Sequence, residues 1–289
     1  MTDIFALQDE ITRNVVSALH VRLVEGEQAR VWQRATENLA AWECLMHGLT
    51  HYRRFGKGEN ARAREMFEKS VEIDPDYSAA WVWLGWLNWT EVRNLWSDSP
   101  ARALASAEQH ARKAIAIDEN LYEIHALLGA IHLMKGHYDE AIAAGEKAVA
   151  LDPNGADVNA LLAMTLNWSD RAGEAAALVE KAMRLSPMYP AWYLAVLAHA
   201  CRLGGDFEKA VTFARQSIAR NPVNMGPRIG LVVSWVELGR DHEARAQAEE
   251  VLKLNPAFSL SKYADSLTYR DPAVSERGLA ALRKAGLPE

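Results

Sequence analysis

Nine histidines are the residues of this chain best suited to hold a metal, and three of them are suggestively spaced. His125 and His132 lie seven residues apart on one predicted helix, and His137 falls in the turn that follows. A zinc site needs four placed ligands, or three with an open position. No cysteine or carboxylate converges with this trio in the sequence, so no metal is expected there. The chain shows no nucleophile elbow, phosphate loop or zincin motif. Its Asp and Glu residues are scattered over helix starts and predicted outer faces, as on a solvated surface. No strand-like alternation is present to carry metal-binding aspartates on a sheet. The expectation is a chain without catalytic residues, metal or cofactor, and not an enzyme.

The remaining chemistry is aromatic. Five tryptophans, Trp81, Trp83, Trp86, Trp89 and Trp96, fall within 16 residues. Such a cluster can pack a core, anchor a partner or wall a small-molecule pocket, and the elements that position it must decide which.

Of 289 residues, 49% are hydrophobic and 24% charged, which permits a packed core. The net charge of −6 argues against a nucleic-acid surface, which needs clustered Lys and Arg. Cys44 and Cys201 are far apart and suggest no disulfide framework, making the reducing cytoplasm the expected compartment. No apolar run approaches the roughly 20 residues that span a bilayer, and no membrane partner is expected. The first residues carry no secretory signal pattern.

The elements themselves follow from a repeat. Pro75, Pro153, Pro187, Pro222 and Pro256 each follow Asp, Ser or Asn, and Glu119 fills the same slot in a sixth copy. From Glu119 onward the steps are 34, 34, 35 and 34 residues, whereas the step from Pro75 to Glu119 is 44. Twelve residues before each anchor stand Ala63, Ala107, Ala141, Ala175, Ala210 and Ala244. A small residue at that register lets two helices approach closely. Four residues before each anchor stand Val71, Ile115, Val149, Met183, Ile218 and Leu252. Small residues also mark the first helix of most copies: Gly48, Gly85, Gly129, Ala163 and Ala198, with Val232 departing from the rule. Each copy thus reads as helix, short turn, helix, closed by a proline that disfavours helix in the residue before it. The ten extra residues of the second copy are expected between its helices, near Glu91–Pro100, with Leu95 and Trp96 folding back as a lid.

This pattern resembles the tetratricopeptide repeat. Trp81, Leu84 and Gly85 match its opening triplet, and Leu128-Gly129, Gly136, Tyr138, Ala141, Ala148 and Pro153 match a second copy. The family's phenylalanine survives only as Phe67. The resemblance implies an all-α, right-handed α-α superhelix of about six helix-turn-helix repeats with flanking helices. The copies are placed at 41–77, 78–121, 122–155, 156–190, 191–224 and 225–258. It also implies that Trp81, and the positions of His125 and His132, pack the helix pairs.

Residues 1–40 are expected to hold an amphipathic helix over 3–24 and a short second helix near 26–34, and residues 259–289 a capping helix. In the latter, Asp271 is the N-cap, Pro272 follows it, and Gly286 lies past the end. Asp3-Ile4-Phe5-Ala6-Leu7-Gln8-Asp9-Glu10-Ile11 and Tyr269-Arg270-Asp271-Pro272 resemble the flanks of the repeat region in bacterial class III adenylate cyclase-like and TolB-like signalling proteins. That resemblance implies an output domain upstream of this chain.

In the repeat family the second, fifth, ninth and twelfth places of each copy face a concave groove. Here they give an apolar, aromatic lining, of which Trp42, Tyr52, Trp86, Trp89, Met164, Trp192, His199 and Arg202, with Trp168 one place further on, are the candidate partner-binding residues. The expected ligand is a protein or peptide offering an apolar helix or extended segment. The upstream domain of the same polypeptide is a further candidate. Three alternatives stay open: a groove filled internally, a homodimer, and a small-molecule sensor in the Trp cluster.

Overall fold

The computed structural model describes residues 36–289, so the helices expected at 3–24 and 26–34 lie outside the described residues. Fourteen helices follow one another, and no strand occurs among the described residues. The first twelve form six antiparallel pairs: α1 (Leu39–Arg54) with α2 (Lys57–Ile73), α3 (Ser78–Arg93) with α4 (Pro100–Ile117), α5 (Tyr122–Met134) with α6 (Tyr138–Leu151), α7 (Ala156–Trp168) with α8 (Ala172–Leu185), α9 (Ala191–Leu203) with α10 (Phe207–Arg220), and α11 (Met225–Glu237) with α12 (Asp241–Leu254). The chain ends with a short α13 (Leu260–Ala264) and α14 (Pro272–Lys284).

The pairs close because small residues occupy the contact. The six register alanines are all buried, five of them fully. A side chain on Gly129 would bring its Cβ to 3.0 Å from the carbonyl oxygen of Ala141, so glycine and alanine there are two halves of one close approach. A second register, five residues before each anchor, is buried completely: Ser70, Ala114, Ala148, Ala182, Ser217 and Val251. Its two serines hydrogen-bond across the pair, Ser70 Oγ to the Ala41 carbonyl (2.7 Å) and Ser217 Oγ to the Ala191 carbonyl (2.9 Å). The residues expected to be apolar four places before the anchor sit at the rim of this contact, only Val71 being buried.

The turns inside the last four pairs repeat one device. Gly136, Asp170, Gly205 and Gly239 take positive φ of 74°, 62°, 81° and 72°. The next residue's N–H then reaches back to the helix, as His137 to the His132 carbonyl (2.9 Å) and Arg240 to the Trp235 carbonyl (2.8 Å). This left-handed helix stop satisfies carbonyls that would otherwise lack donors.

Consecutive pairs stack so that first helices touch first helices, α3 on α5, α5 on α7, α7 on α9 and α9 on α11. They form the inner wall of a superhelix, and the second helices lie outside it. The insertion of the second copy does not sit wholly in its loop. Relative to the third copy, α3 gains three residues, α4 four, and the loop the rest. Trp96 folds onto Phe55 of the preceding turn (centroids 5.3 Å), while Leu95 stays 38% exposed, so only one of the pair acts as the expected lid.

Asp271 accepts the Ala273 N–H (2.9 Å), Pro272 opens α14, and Gly286 takes a φ of 92° past its end. Ala281, Leu282, Ala285 and Leu287 cover the apolar face of α11 and α12.

Candidate functional site

The first helices of the repeats enclose a groove of about 2250 Å³. Of the nine candidate residues, eight line it and Trp42 does not; Trp42 is buried against Met46 near the start of α1. The groove has three zones.

In the first zone the aromatic rings pack on each other. Trp86 and Trp89 stand edge to face (5.4 Å), only 5% and 9% exposed, and Trp89 Nε1 donates to the Ala130 carbonyl (3.2 Å) of the next first helix. These two rings belong to the wall and do not stand open as anchors. The indole N–H has found a fixed acceptor, which ties α3 to α5. Tyr52 meets Trp83 edge to face (5.2 Å) and shares a hydrogen bond with the Thr90 hydroxyl (3.1 Å). Burial pushes the Tyr52 phenol up.

In the second zone the chain's own tail enters the groove. Between α13 and α14, residues Leu267–Arg270 run through it without regular secondary structure. The Tyr269 ring stacks on Trp168 (4.1 Å, planes 28° apart), whose other neighbours are His199, edge to face at 5.1 Å, and the Arg93 guanidinium at 4.7 Å from the ring centre. Arg202 donates to the Tyr269 hydroxyl (2.7 Å), and that hydroxyl lies 2.7 Å from His199 Nε2. Burial, then the nearby Arg202 and Arg93, hold His199 well below its ordinary pKa. A neutral His199 therefore accepts the Tyr269 O–H. The Arg270 N–H donates to the Trp168 carbonyl (2.9 Å), its guanidinium pairs with Asp139 (2.9 Å), and Leu267 packs against the cluster of Leu133, Ala141 and Trp168.

The third zone is open. Trp192 is half-buried against Tyr193 (4.5 Å), Met188 in the loop before it is 93% exposed, and Val223 in the loop before α11 is 48% exposed. Deeper in the wall, Tyr193 donates to Asp157 (2.6 Å). Burial raises the Asp157 carboxyl, with Tyr193 and Arg53 opposing.

One histidine of the trio, His125, has another use. His125 Nε2 lies 2.8 Å from the carbonyl of Glu119, six residues earlier, and the same reach recurs as Trp81 Nε1 to Pro75 (2.8 Å), Asn159 Nδ2 to Pro153 (3.3 Å) and Arg228 to Pro222 (2.9 Å). At these four anchors the residue six places on caps the anchor's carbonyl, whereas Tyr193, six places past Pro187, donates to Asp157 instead. Among the described residues no group of three His, Cys, Asp or Glu is placed to hold a metal ion.

Two stretches match family models of the tetratricopeptide repeat, residues 55–77 and 122–154. The chain thus carries tetratricopeptide repeats. Among solved structures the chain is similar to one in the APC/C hetero-tetramer Cut9–Hcn1, with a TM-score of 0.59 and 15% identity, covering 89% of this chain and 45% of that one. It is also similar to PilW, a type IV pilus biogenesis factor (TM-score 0.52, 17% identity, 76% and 96% covered). At these identities the likeness is one of fold. A Rhizobium meliloti (strain 1021) protein named as an adenylate cyclase is 32% identical over 141 residues, which span 49% of this chain and 24% of that protein. No helix among the described residues is long and apolar enough to cross a membrane.

Sequence spacing missed two residues of the second zone. Arg93 joins the groove because α3 runs about a turn longer than the first helices of the four repeats that follow it, continuing the face of Val82, Trp86 and Trp89. Tyr269 lies outside the repeats. Conversely, Asn167, at a nominal groove place, is fully buried and donates to the Val196 carbonyl (3.0 Å), leaving Trp168 to face inward.

Proposed function

We propose that this chain is a protein-recognition scaffold, the repeat portion of an adenylate cyclase-like signalling polypeptide acting in the cytoplasm. Its ligand is an apolar helix or extended segment of another protein or of an upstream domain. The observation that carries this reading is the open third zone, where Trp192, Met188 and Val223 leave apolar surface along an inner wall stiffened by buried aromatic contacts. Exposed apolar surface of this kind on a concave face favours association. A catalytic role would fall to segments outside this chain.

The test is a display selection of random peptides against the chain, counter-screened with Trp192→Ala. Peptides rich in apolar residues should enrich and lose binding to the variant. An empty selection, or binding indifferent to Trp192, would overturn the reading.

Tyr269 favours a second reading for the middle of the groove, in which the chain fills that part itself.

A further inference from the structure

The second zone has the form of a peptide complex. One extended segment lays two side chains, Leu267 and Tyr269, against a wall and uses a main-chain N–H to hold the wall's carbonyl at Trp168. Alternate side chains in pockets plus a main-chain hydrogen bond are the way grooves recognise extended peptides. The aromatic end is read chemically: a ring stacked on Trp168, with a hydroxyl that accepts from Arg202 and donates to His199. The following arginine is read by Asp139.

The pocket does not depend on the segment that fills it. Trp168 closes α7, His199 and Arg202 stand on α9, Arg93 ends α3, and each helix is fixed by its own repeat contacts. Arg270 and Asp139 form an exposed pair, of a kind worth about 0–1 kcal/mol. On either side α13 and α14 anchor it to the sixth repeat, so it can leave the pocket without unfolding a helix.

We infer that the segment Leu267–Arg270 is an internal ligand, and that the pocket of Arg93, Trp168, His199 and Arg202 recognises an extended partner segment of the form apolar–x–Tyr–Arg by exchanging it for this strap. The inference rests on the protein-recognition reading and gives it a ligand chemistry and a control. A tethered competitor acts at an effective concentration of order mM. A partner must therefore match the strap's contacts and add others, and the open zone around Trp192 supplies them. The strap sets a threshold below which weak or partial ligands stay out.

The experiment uses the full chain and a fluorescent peptide of residues 264–271, Ala-Asp-Ser-Leu-Thr-Tyr-Arg-Asp, followed by anisotropy. The doubly substituted chain Tyr269→Ala, Arg270→Ala keeps the pocket and weakens the strap. It should bind the peptide at least about tenfold more tightly than the wild type does, since the competitor at mM effective concentration is weakened. Binding should be lost when the peptide's tyrosine becomes alanine, and when Arg202→Ala is added to the chain. Equal affinity for both chains, or no binding to a folded double variant, would overturn the inference. Should the double variant fail to fold, hydrogen exchange on the wild type decides. The amide of Arg270 must exchange at least tenfold faster than that of Leu282 in α14, and exchange of both together would refute a detachable strap. A failed peptide assay beside Trp192-dependent binders from the display selection sinks the strap inference alone. An empty selection sinks the scaffold reading.

Discussion

The rings of Tyr269 and Trp168 stack with centroids 4.1 Å apart, joining the segment before the last helix to the end of the fourth repeat's first helix. Tyr269→Phe keeps this stack and removes the hydroxyl shared by His199 and Arg202. It should cost about 0.5–1.5 kcal/mol, the usual net worth of a hydrogen bond, while Tyr269→Ala should cost more because burial and stacking go as well. Urea denaturation of the two variants separates the contributions; equal losses would mean the ring adds nothing.

Ala141 is fully buried, and its carbonyl faces Gly129. Ala141→Leu should overpack the third pair at a cost of about 1–3 kcal/mol. A thermal melt unchanged from wild type would show that the pair can spread, contrary to the close approach seen here.

The repeat register was legible in the sequence because close packing leaves only small residues at a crossing, and a residue type repeated at one place six times is visible in one dimension. The groove was legible only in part. Whether Trp86 and Trp89 stand open depends on how closely α5 is stacked against α3, and Trp89 shows the outcome by bonding to Ala130. The contact of Tyr269 with His199, 70 residues away, depends on the accumulated curvature of several repeats, which no local spacing encodes.

Trp86, at 5% exposure, is part of the wall. Its replacement by alanine should therefore act mainly on stability, by about 3–5 kcal/mol, and not as a clean loss of a binding contact. Trp192→Ala, at a half-buried ring, should leave the melting temperature nearly unchanged. Comparable destabilisation by both would contradict the zoning of the groove.

Three histidines are held below their ordinary pKa chiefly by burial: His110, pushed down to about 4, His132 and His199. Asn88 Nδ2 lies 3.2 Å from His110 Nδ1, consistent with a neutral ring. The unfolded chain takes up protons at these positions near pH 6.5 while the folded chain resists them. Their contribution is complete above about pH 6.5 and is lost as pH falls toward 4. Denaturation at pH 7, 6 and 5 should show declining stability, with a shallower slope in His199→Gln. A flat profile would mean these rings are hydrated.

Asp157 works in the opposite sense. Burial raises its pKa, so the folded chain holds that proton more firmly than the unfolded one, and stability is lost as pH rises from the ordinary carboxylate range. Asp157→Asn retains an oxygen for the Tyr193 hydroxyl. It should be at least as stable as wild type at pH 7, with the difference shrinking toward pH 4. A variant clearly weaker at pH 7 would show that the charge is needed, with Arg53 as its counter-ion.

A stack of repeats that touch only their neighbours behaves as a spring whose last coils can fray one at a time. The strap changes that mechanics. By fastening the segment beyond the sixth repeat to Trp168 in the fourth and Asp139 in the third, it closes part of the coil into a loop. Stretching or unwinding the C-terminal half then requires the chord to let go first, so these repeats should open as one cooperative unit. Releasing the strap would do more than uncover a pocket: it would return elasticity to half the molecule.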